Sequence, residues 1–390
     1  IRDVDGELLQ GLLDRIVSYE AAIPRMDVEI DEERRRVTVC GQGGAIPKSQ
    51  GRVYVGSAGT AARFIAALLG VSDGVYTLES SEQMKKRPMK PLLEALRSMG
   101  TGITYHGSEG FFPFTVDGRG ADAREITIDI GDSSQFLSAL LISAVCFKEG
   151  LTIHVKGSHG MSYIEMTVKM MEQFGVKVLR PDRATFVVEG GQHYHLDSYD
   201  IEPDMSAAAY FYAAAAILKT STVVRGVNRI GLQGDVKLFD VLEGMGCEVS
   251  ESAEGVLVRG PEKLRGVDVD MREFSDQAIT VACVAVFAAG QTRITGIGHI
   301  RHQESDRIHG IATELTRMGI EVLEGDDYLV ITPGCPKRAS IETYDDHRMA
   351  MGFSLVGLRA EGIEILNPMC CRKTFENYFE VLDKFIDDLR

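Results

Sequence analysis

Positive charge is scarce in this 390-residue chain: 42 Lys and Arg stand against 57 Asp and Glu, a net charge of −15. That balance argues against nucleic acid as the main partner and does not favour an anionic membrane. No Cys-x-x-Cys pair occurs among the seven cysteines, so no zinc site is expected. Most of these cysteines (Cys40, Cys146, Cys247, Cys283, Cys335, Cys370, Cys371) sit inside apolar runs, which points to buried thiols in a reducing compartment. Long apolar runs are missing too. The longest, near 207–218 and 278–289, suit core helices and are too short to span a bilayer. The first residues show no signal-peptide pattern, and a cytoplasmic protein is expected. No Gly-Lys-Ser/Thr phosphate loop is present, so an anionic ligand need not be a nucleotide.

What is present is ordinary globular composition, 44% hydrophobic and 25% charged, enough for two domains. The chain is also periodic. A helix ends at a Gly, a short strand follows, then a polar turn and a second strand; this recurs after Gly100, Gly175, Gly246 and Gly319. One period earlier the same pattern appears without the Gly, as Val28-Glu29-Ile30, a charged turn, and Val37-Thr38-Val39. Gly after a helix supplies a left-handed cap, and the alternating strands form a hairpin with one buried face. A second helix rich in small residues precedes the main one, near 60–69, 133–145, 206–218 and 276–289. Each unit therefore reads strand, helix, strand, helix, strand, strand, and such units are expected to pack around a shared helical core. The polar stretch 190–204 marks the domain boundary, giving domains 1–201 and 202–390.

Chemistry concentrates at helix starts. Glu342-Thr343-Tyr344-Asp345-Asp346-His347-Arg348 precedes an apolar helix. The pattern suits an Arg held rigid to clamp an anion, with Asp345 and Asp346 capping the helix; a capped helix with a solvated Arg is the plainer alternative. Gly56-Ser57-Ala58-Gly59-Thr60-Ala61-Ala62-Arg63 is a small-residue turn opening a helix, either an anion cradle or a packing turn. Lys85-Lys86-Arg87-Pro88 is either an anion site or a solvated run. Gly131-Asp132-Ser133-Ser134-Gln135 supplies two hydroxyls and an amide beside free helix N–H groups. Asp276 is either an N-cap or a general base. Glu304 and Arg307 are spaced to face the same way, as a functional pair or a surface ion pair. Lys373 is either solvated or a proton donor. The ligand class implied by such convergence is multiply anionic: phosphates, carboxylates or both.

Taken in order, the turn at 56–60, Lys86-Arg87-Pro88, the run Ser133 to Leu141, Glu304-Ser305-Asp306-Arg307, Tyr344 to Met351 and Lys373-Thr374-Phe375 resemble the EPSP synthases, the 3-phosphoshikimate 1-carboxyvinyltransferases. The resemblance covers roughly residues 27–390. It implies a two-domain inside-out α/β barrel built from βαβαββ units, three per domain, with inner helices aimed at an interdomain cleft. It implies transfer of the enolpyruvyl group of phosphoenolpyruvate to the 5-hydroxyl of shikimate 3-phosphate, with release of phosphate and no metal or organic cofactor. Carried over by position, Gly59, Arg87, Gln135, Arg307, Arg348 and Lys373 would serve phosphoenolpyruvate. Ser133, Ser134, Gln135, Tyr163, Asp276 and Gln303 would serve shikimate 3-phosphate. Asp276 would accept the hydroxyl proton, and Glu304 and Lys373 would manage proton transfer at the enol carbon and leaving phosphate. A Gly at 59 resembles the type sensitive to glyphosate, which competes at this site in the family. A monomer is expected, with two small-molecule partners.

The chain departs from the family pattern in places. Residues 1–26 hold no counterpart of the family's opening strand, its Gly-Ser-Lys-Ser turn and following Arg, so the N-terminal part of the first domain is expected to be incomplete in this sequence. Gln303 stands where a Lys is usual and His299 where an Asn is common. Gly160 stands where a Ser normally contacts phosphate, with Ser158 and Ser162 as substitutes. A transferase acting on UDP-N-acetylglucosamine is the alternative within the same chemistry, although residues 80–86 lack that family's Cys. A non-catalytic anion-binding relative without the N-terminal Lys is the alternative outside it.

Overall fold

A computed structural model of the chain describes residues 28–31, 36–39, 46, 48–158, 160–197 and 199–389. The expectations for residues 1–26 and for Cys40 lie outside them. The described residues form two compact units that meet between Tyr199 and Asp200 in the sequence.

In the first unit, β1 (Val28–Asp31) and β2 (Arg36–Val39) make an antiparallel hairpin. A complete βαβαββ unit follows: β3 (Gln50–Tyr54), α1 (Gly59–Gly70), β4 (Val75–Glu79), the one-turn α2 (Glu82–Lys85), α3 (Lys90–Ser98), β5 (Gly102–Tyr105) and β6 (Phe114–Asp117). The next repeats it as β7 (Glu125–Asp129), α4 (Gln135–Ser143), β8 (Gly150–Lys156), α5 (Met161–Gln173), β9 (Val178–Asp182) and β10 (Thr185–Glu189). Both sheets share one order, first–second–fourth–third strand, with only the first pair parallel.

The second unit begins with α6 (Met205–Leu218), β11 (Ser221–Arg225), α7 (Leu238–Gly244), β12 (Glu248–Glu251) and β13 (Gly255–Arg259). Its sheet, β11-β13-β12, has no leading strand among the described residues. A complete unit follows: β14 (Asp268–Asp270), α8 (Ala278–Ala285), β15 (Thr292–Thr295), α9 (Arg307–Arg317), β16 (Glu321–Glu324) and β17 (Leu329–Thr332). The chain closes with β18 (Ala339–Ile341), α10 (His347–Gly357), β19 (Ile363–Ile365) and α11 (Tyr378–Asp387), where β18 and β19 pair in parallel without a following hairpin.

The repeat has a local cause. After α3, the Gly100 N–H bonds Arg97 O at 3.0 Å and the Thr101 N–H bonds Leu96 O at 3.1 Å, with Gly100 at φ 98°. This is the Schellman cap. It recurs at Gly175, Gly246 and Gly319 with the same pairing of residues and φ between 80° and 102°. Each cap turns the chain from an outer helix into the next hairpin.

Inner helices are buried on most sides. Every residue of α8 is buried, and so are eleven of the fourteen in α6, where the run of Ala lets backbones approach closely. α6, α8 and α10 pack on one another, as α1 and α4 do in the first unit. Strands alternate buried and half-exposed residues, so one face of each sheet covers the inner helices. This is the inside-out α/β architecture, with one apolar core per unit. The two longest apolar runs are core helices, although α8 stops at Ala285. No helix among the described residues is long and apolar enough to cross a membrane.

The cysteine expectation is only partly met. Cys247, Cys283 and Cys371 are buried, but Cys146 and Cys335 are exposed. Cys146 ends the 3-10 turn after α4, where the chain has already left the core.

The caps yield a stability prediction. An added Cβ at Gly100 would run into the Gly120 carbonyl oxygen, whereas at Gly175 the nearest atom is 3.7 Å away. Gly175→Ala carries only the left-handed backbone cost, about 1–3 kcal/mol. Gly100→Ala carries that cost plus a backbone clash, and its urea-unfolding midpoint falls below that of Gly175→Ala.

Candidate active-site clusters

Candidate site residues in both units stand at helix starts: Gly59 opens α1, Gln135 opens α4, Arg307 opens α9 and Arg348 is the second residue of α10. Helix N-termini attract anions and repel cations. An Arg there must be held by a carboxylate or wait for an anionic ligand.

In the first unit, two guanidiniums converge on Gly59. A Cβ at that position would lie 2.6 Å from Nη1 of Arg63 and 2.7 and 2.8 Å from the two terminal nitrogens of Arg87. Only Gly leaves room for both. Arg63 is buried; its Nη1 donates to Gln135 Oε1 at 2.7 Å, and its charge lies 5.1 Å from the Phe136 ring centre. The partners it bonds are therefore neutral. Burial, together with the charge of Arg87 and against the pull of Asp132, pushes its pKa down to about 9. Gln135 passes its amide N–H to Thr60 Oγ1 at 3.0 Å. Of the cationic run, Lys85 pairs with Glu82 at the surface and Lys86 is exposed; Arg87 alone faces Gly59.

Ser133 is the hydroxyl that receives a helix-start N–H, from Gln135 at 3.3 Å, and Ser134 does not cap. Ser134 is buried beneath Gly160, where an added Cβ would lie 2.8 Å from its Oγ and 3.4 Å from the Tyr163 ring. Gly160 also has φ 62°. The departure from Ser is thus matched by a left-handed backbone and a crowded floor. Ser158 is exposed and Ser162 half-buried.

The second unit is organised around Asp346. Its carboxylate is wholly buried, caps α10 through the Arg348 N–H at 3.0 Å, and takes Arg307 in a two-armed pair at 2.8 and 3.2 Å. The Ser305 hydroxyl adds a bond at 3.0 Å. Asp345 does not share the capping; with Tyr344 it adopts left-handed backbone, at φ 55° and 54°, and receives the Asn367 amide at 3.3 Å. Nor is Asp276 an N-cap. It stands in the 3-10 turn Ser275–Gln277 and receives Arg307 Nη1 at 3.1 Å and Arg348 Nη2 at 2.9 Å. Burial alone would raise its pKa; Arg348 and Arg307 outweigh that and hold it at about 2.

Glu304 and Arg307 do not form the surface pair their spacing allowed. Arg307 is 3% exposed and engages Asp346, Asp276 and the Gln303 side-chain oxygen. A Lys ammonium at 303 could not accept such a bond. Glu304 receives Lys373 Nζ at 2.6 Å and contacts His347 Nδ1 at 2.8 Å. Burial opposes ionisation of Glu304, but His347, Arg307 and Lys373 keep its pKa well below the usual carboxylate range. His347 itself is lowered by burial, against Glu304. His299 bonds Ser275 Oγ at 2.6 Å. Glu304, Asp346 and His347 offer donor atoms within 4.8 Å of one another. Two of these carboxylates are paired with side-chain cations, Glu304 with Lys373 and Asp346 with Arg307.

Sequence spacing does not single out Arg63, Thr60, Asp346's grip on Arg307, or Asp235, whose buried carboxylate receives the Ser206 hydroxyl and the Gln277 amide. Arg63 had a signal, four residues beyond Gly59 on an otherwise small and apolar helix. Asp235 had none.

Inner helices wrapped by repeated βαβαββ sheets are the architecture of the enolpyruvyl transferases. An enolpyruvyl transferase from Streptomyces tendae, NikO, shares the fold with a TM-score of 0.53 at 17% identity, over 85% of this chain and 94% of that one. The chain belongs to the EPSP synthase (3-phosphoshikimate 1-carboxyvinyltransferase) family, whose sequence model matches residues 18–382. It is similar to the 3-phosphoshikimate 1-carboxyvinyltransferase of Nostoc sp., 41% identical over 90% of this chain and 83% of the relative. That of Shewanella oneidensis is 43% identical over 88% and 82%. Among solved structures, the EPSP synthase of Acinetobacter baumannii aligns with a TM-score of 0.74 at 26% identity, over 92% of this chain and 84% of that one. Nothing observed favours the UDP-N-acetylglucosamine alternative.

The charges also set a pH dependence. Asp235, 4% exposed, is pushed up to about 6 by burial and then by Asp276, against Arg348, Ser206 and Gln277. Its folded value lies above the ordinary 3.8, so its favourable contribution is complete below that value and lost as pH rises through 6. Asp235→Asn is expected to be more stable than the parent at pH 7.5 by on the order of 1–3 kcal/mol, with the gap narrowing as pH falls from 6 towards 4. Denaturant unfolding at both pH values checks this; a gap that widens towards pH 4 contradicts it.

Proposed function

We propose that this protein transfers the enolpyruvyl group of phosphoenolpyruvate to the 5-hydroxyl of shikimate 3-phosphate, releasing phosphate. The observation that carries the reading is Asp276 bracketed by Arg307 and Arg348, in the same unit as the Glu304–Lys373 pair. Arg87, Arg307, Arg348 and Lys373 are assigned to phosphoenolpyruvate, with Gly59 leaving space for it and Gln135 lying against it. Ser133, Ser134, Gln135, Tyr163, Asp276 and Gln303 are assigned to shikimate 3-phosphate. Family membership supports these assignments, as does the chemistry of the residues.

The resting electrostatics suggest how the base is switched on. A carboxylate held at about 2 is a weak base. The cations that depress it are the ones assigned to the substrate anion. A bound carboxylate or phosphate shares their charge, and Asp276 regains proton affinity as it does so. It then takes the proton of the attacking hydroxyl. Lys373 and Glu304, 2.6 Å apart, act as one unit. The ammonium stores the proton that reaches the enol carbon, and the carboxylate faces the positive character that develops there. The added proton makes that carbon a methyl group; as phosphate leaves, stabilised by the fixed cations, the methyl gives a proton back to the Glu304–Lys373 pair and the vinyl group is restored. We read the protein as a cytoplasmic monomer acting on these two small molecules, without nucleic acid or membrane.

Phosphate release from phosphoenolpyruvate plus shikimate 3-phosphate tests the reading, and absence of turnover by the folded protein overturns it. Two variants refine it. Arg348→Gln is expected to lower kcat/KM by roughly 10²–10³. Gly59→Ala displaces Arg63 and Arg87 and raises KM for phosphoenolpyruvate by roughly 10-fold, with a smaller effect on kcat.

A further inference from the structure

One buried carboxylate of the second unit has no part in the chemistry above. Asp235 lies in the 3-10 turn Gly234–Lys237 ahead of α7. Its Oδ2 receives the Ser206 hydroxyl and, at 3.0 Å, the Gln277 amide; its Oδ1 is buried without a hydrogen-bond partner. Both donors belong to elements that carry the site. Ser206 is the second residue of α6, and its oxygen also lies 3.4 Å from Arg348 Nη2. Gln277 is fully buried and adjoins Asp276 in the same turn. Arg348 closes the circuit with its bond to Asp276. Asp235 therefore ties α6 to the Asp276 turn at the point where α10 delivers Arg348.

Burying a carboxylate with one oxygen unsatisfied is costly, and an apolar side chain would fill the space at less expense. What an apolar side chain could not supply is an acceptor for two donors at once. We propose that Asp235 is a positioning residue for the transfer reaction: it holds the Ser206 hydroxyl and the Gln277 amide, and through them sets where Arg348 and Asp276 point. The proposal rests on the roles given to Arg348 and Asp276 under the proposed function. Without that acceptor the Ser206 hydroxyl turns to other acceptors and Gln277 no longer anchors the turn. Arg348 then loses its lateral support and Asp276 its fixed aim.

The acceptor oxygen matters here, so the conservative variant discriminates. Asp235→Ala is expected to raise KM for phosphoenolpyruvate by about 10-fold and lower kcat by about 10-fold. Asp235→Asn keeps an oxygen for both donors and recovers most of that loss. A purely structural role lowers the melting temperature without altering phosphoenolpyruvate affinity in the folded fraction. Calorimetric titration with phosphoenolpyruvate, on protein shown to be folded by circular dichroism, therefore accompanies the kinetics. An Ala variant with both constants within twofold of the parent overturns the proposal, as does an Asn variant as impaired as Ala. If the Ala variant does not fold, Ser206→Ala removes the bridge while leaving Asp235 in place. A several-fold rise in KM supports the proposal, and no change overturns it. Should the parent protein show no turnover, the functional reading fails. Positioning is then read from inorganic phosphate binding: about 10-fold weaker in Asp235→Ala supports it, and equal affinity overturns it.

Discussion

The second unit depends on one buried carboxylate meeting one buried guanidinium. Asp346 caps α10 with one oxygen and grips Arg307 at the start of α9 with both. A cation at a helix start is opposed by the helix dipole, and a buried ion of either sign is costly alone. Together each makes the other tolerable, and the two helices are tied at the ends that carry the chemistry. Arg307 then has a free edge for Asp276, and Asp276 has a second oxygen for Arg348. Removing Asp346 would leave Arg307 buried with its largest compensation gone.

The two units handle positive charge in opposite ways. In the second, each cation rests on a carboxylate: Arg307 on Asp346 and Asp276, Arg348 on Asp276, Lys373 on Glu304. Under the proposed mechanism an incoming anion there exchanges places with a resident one, and the displaced carboxylate gains proton affinity. In the first, Arg63 rests on an amide oxygen and an aromatic face. Burial, and then the neighbouring Arg87 charge, lowers its pKa. An anion reaching that cluster relieves repulsion between neighbouring guanidiniums.

Much of the fold was legible because its signals are local. Glycines at 100, 175, 246 and 319 announced four helix ends, and all four adopt the same cap. Small-residue runs announced buried helices. The site was legible in its residue types and less so in its pairings. Glu304 and Arg307 are three apart, yet Arg307 turns to Asp346, 39 positions away, and Glu304 to Lys373, 69 positions away. For Asp276 the order of residues favoured a cap over a base, and the fold places it instead within a 3-10 turn, against two guanidiniums. Asp235 was invisible, because an Asp in a Gly-Asp turn is common and its partners, Ser206 and Gln277, lie on elements distant in the sequence.

The order of residues by itself determined the repeat, the helix ends, the small-residue inner helices and the family to which the chain belongs. Each of these follows from neighbours a few positions apart: a cap, a periodicity, a motif. Tertiary structure alone decided which carboxylate meets which cation and which oxygens of Asp276 and Asp346 are engaged. Those outcomes depend on Coulombic and hydrogen-bond energies that change over a few ångströms in a water-poor interior. Spacing along the chain does not encode such distances.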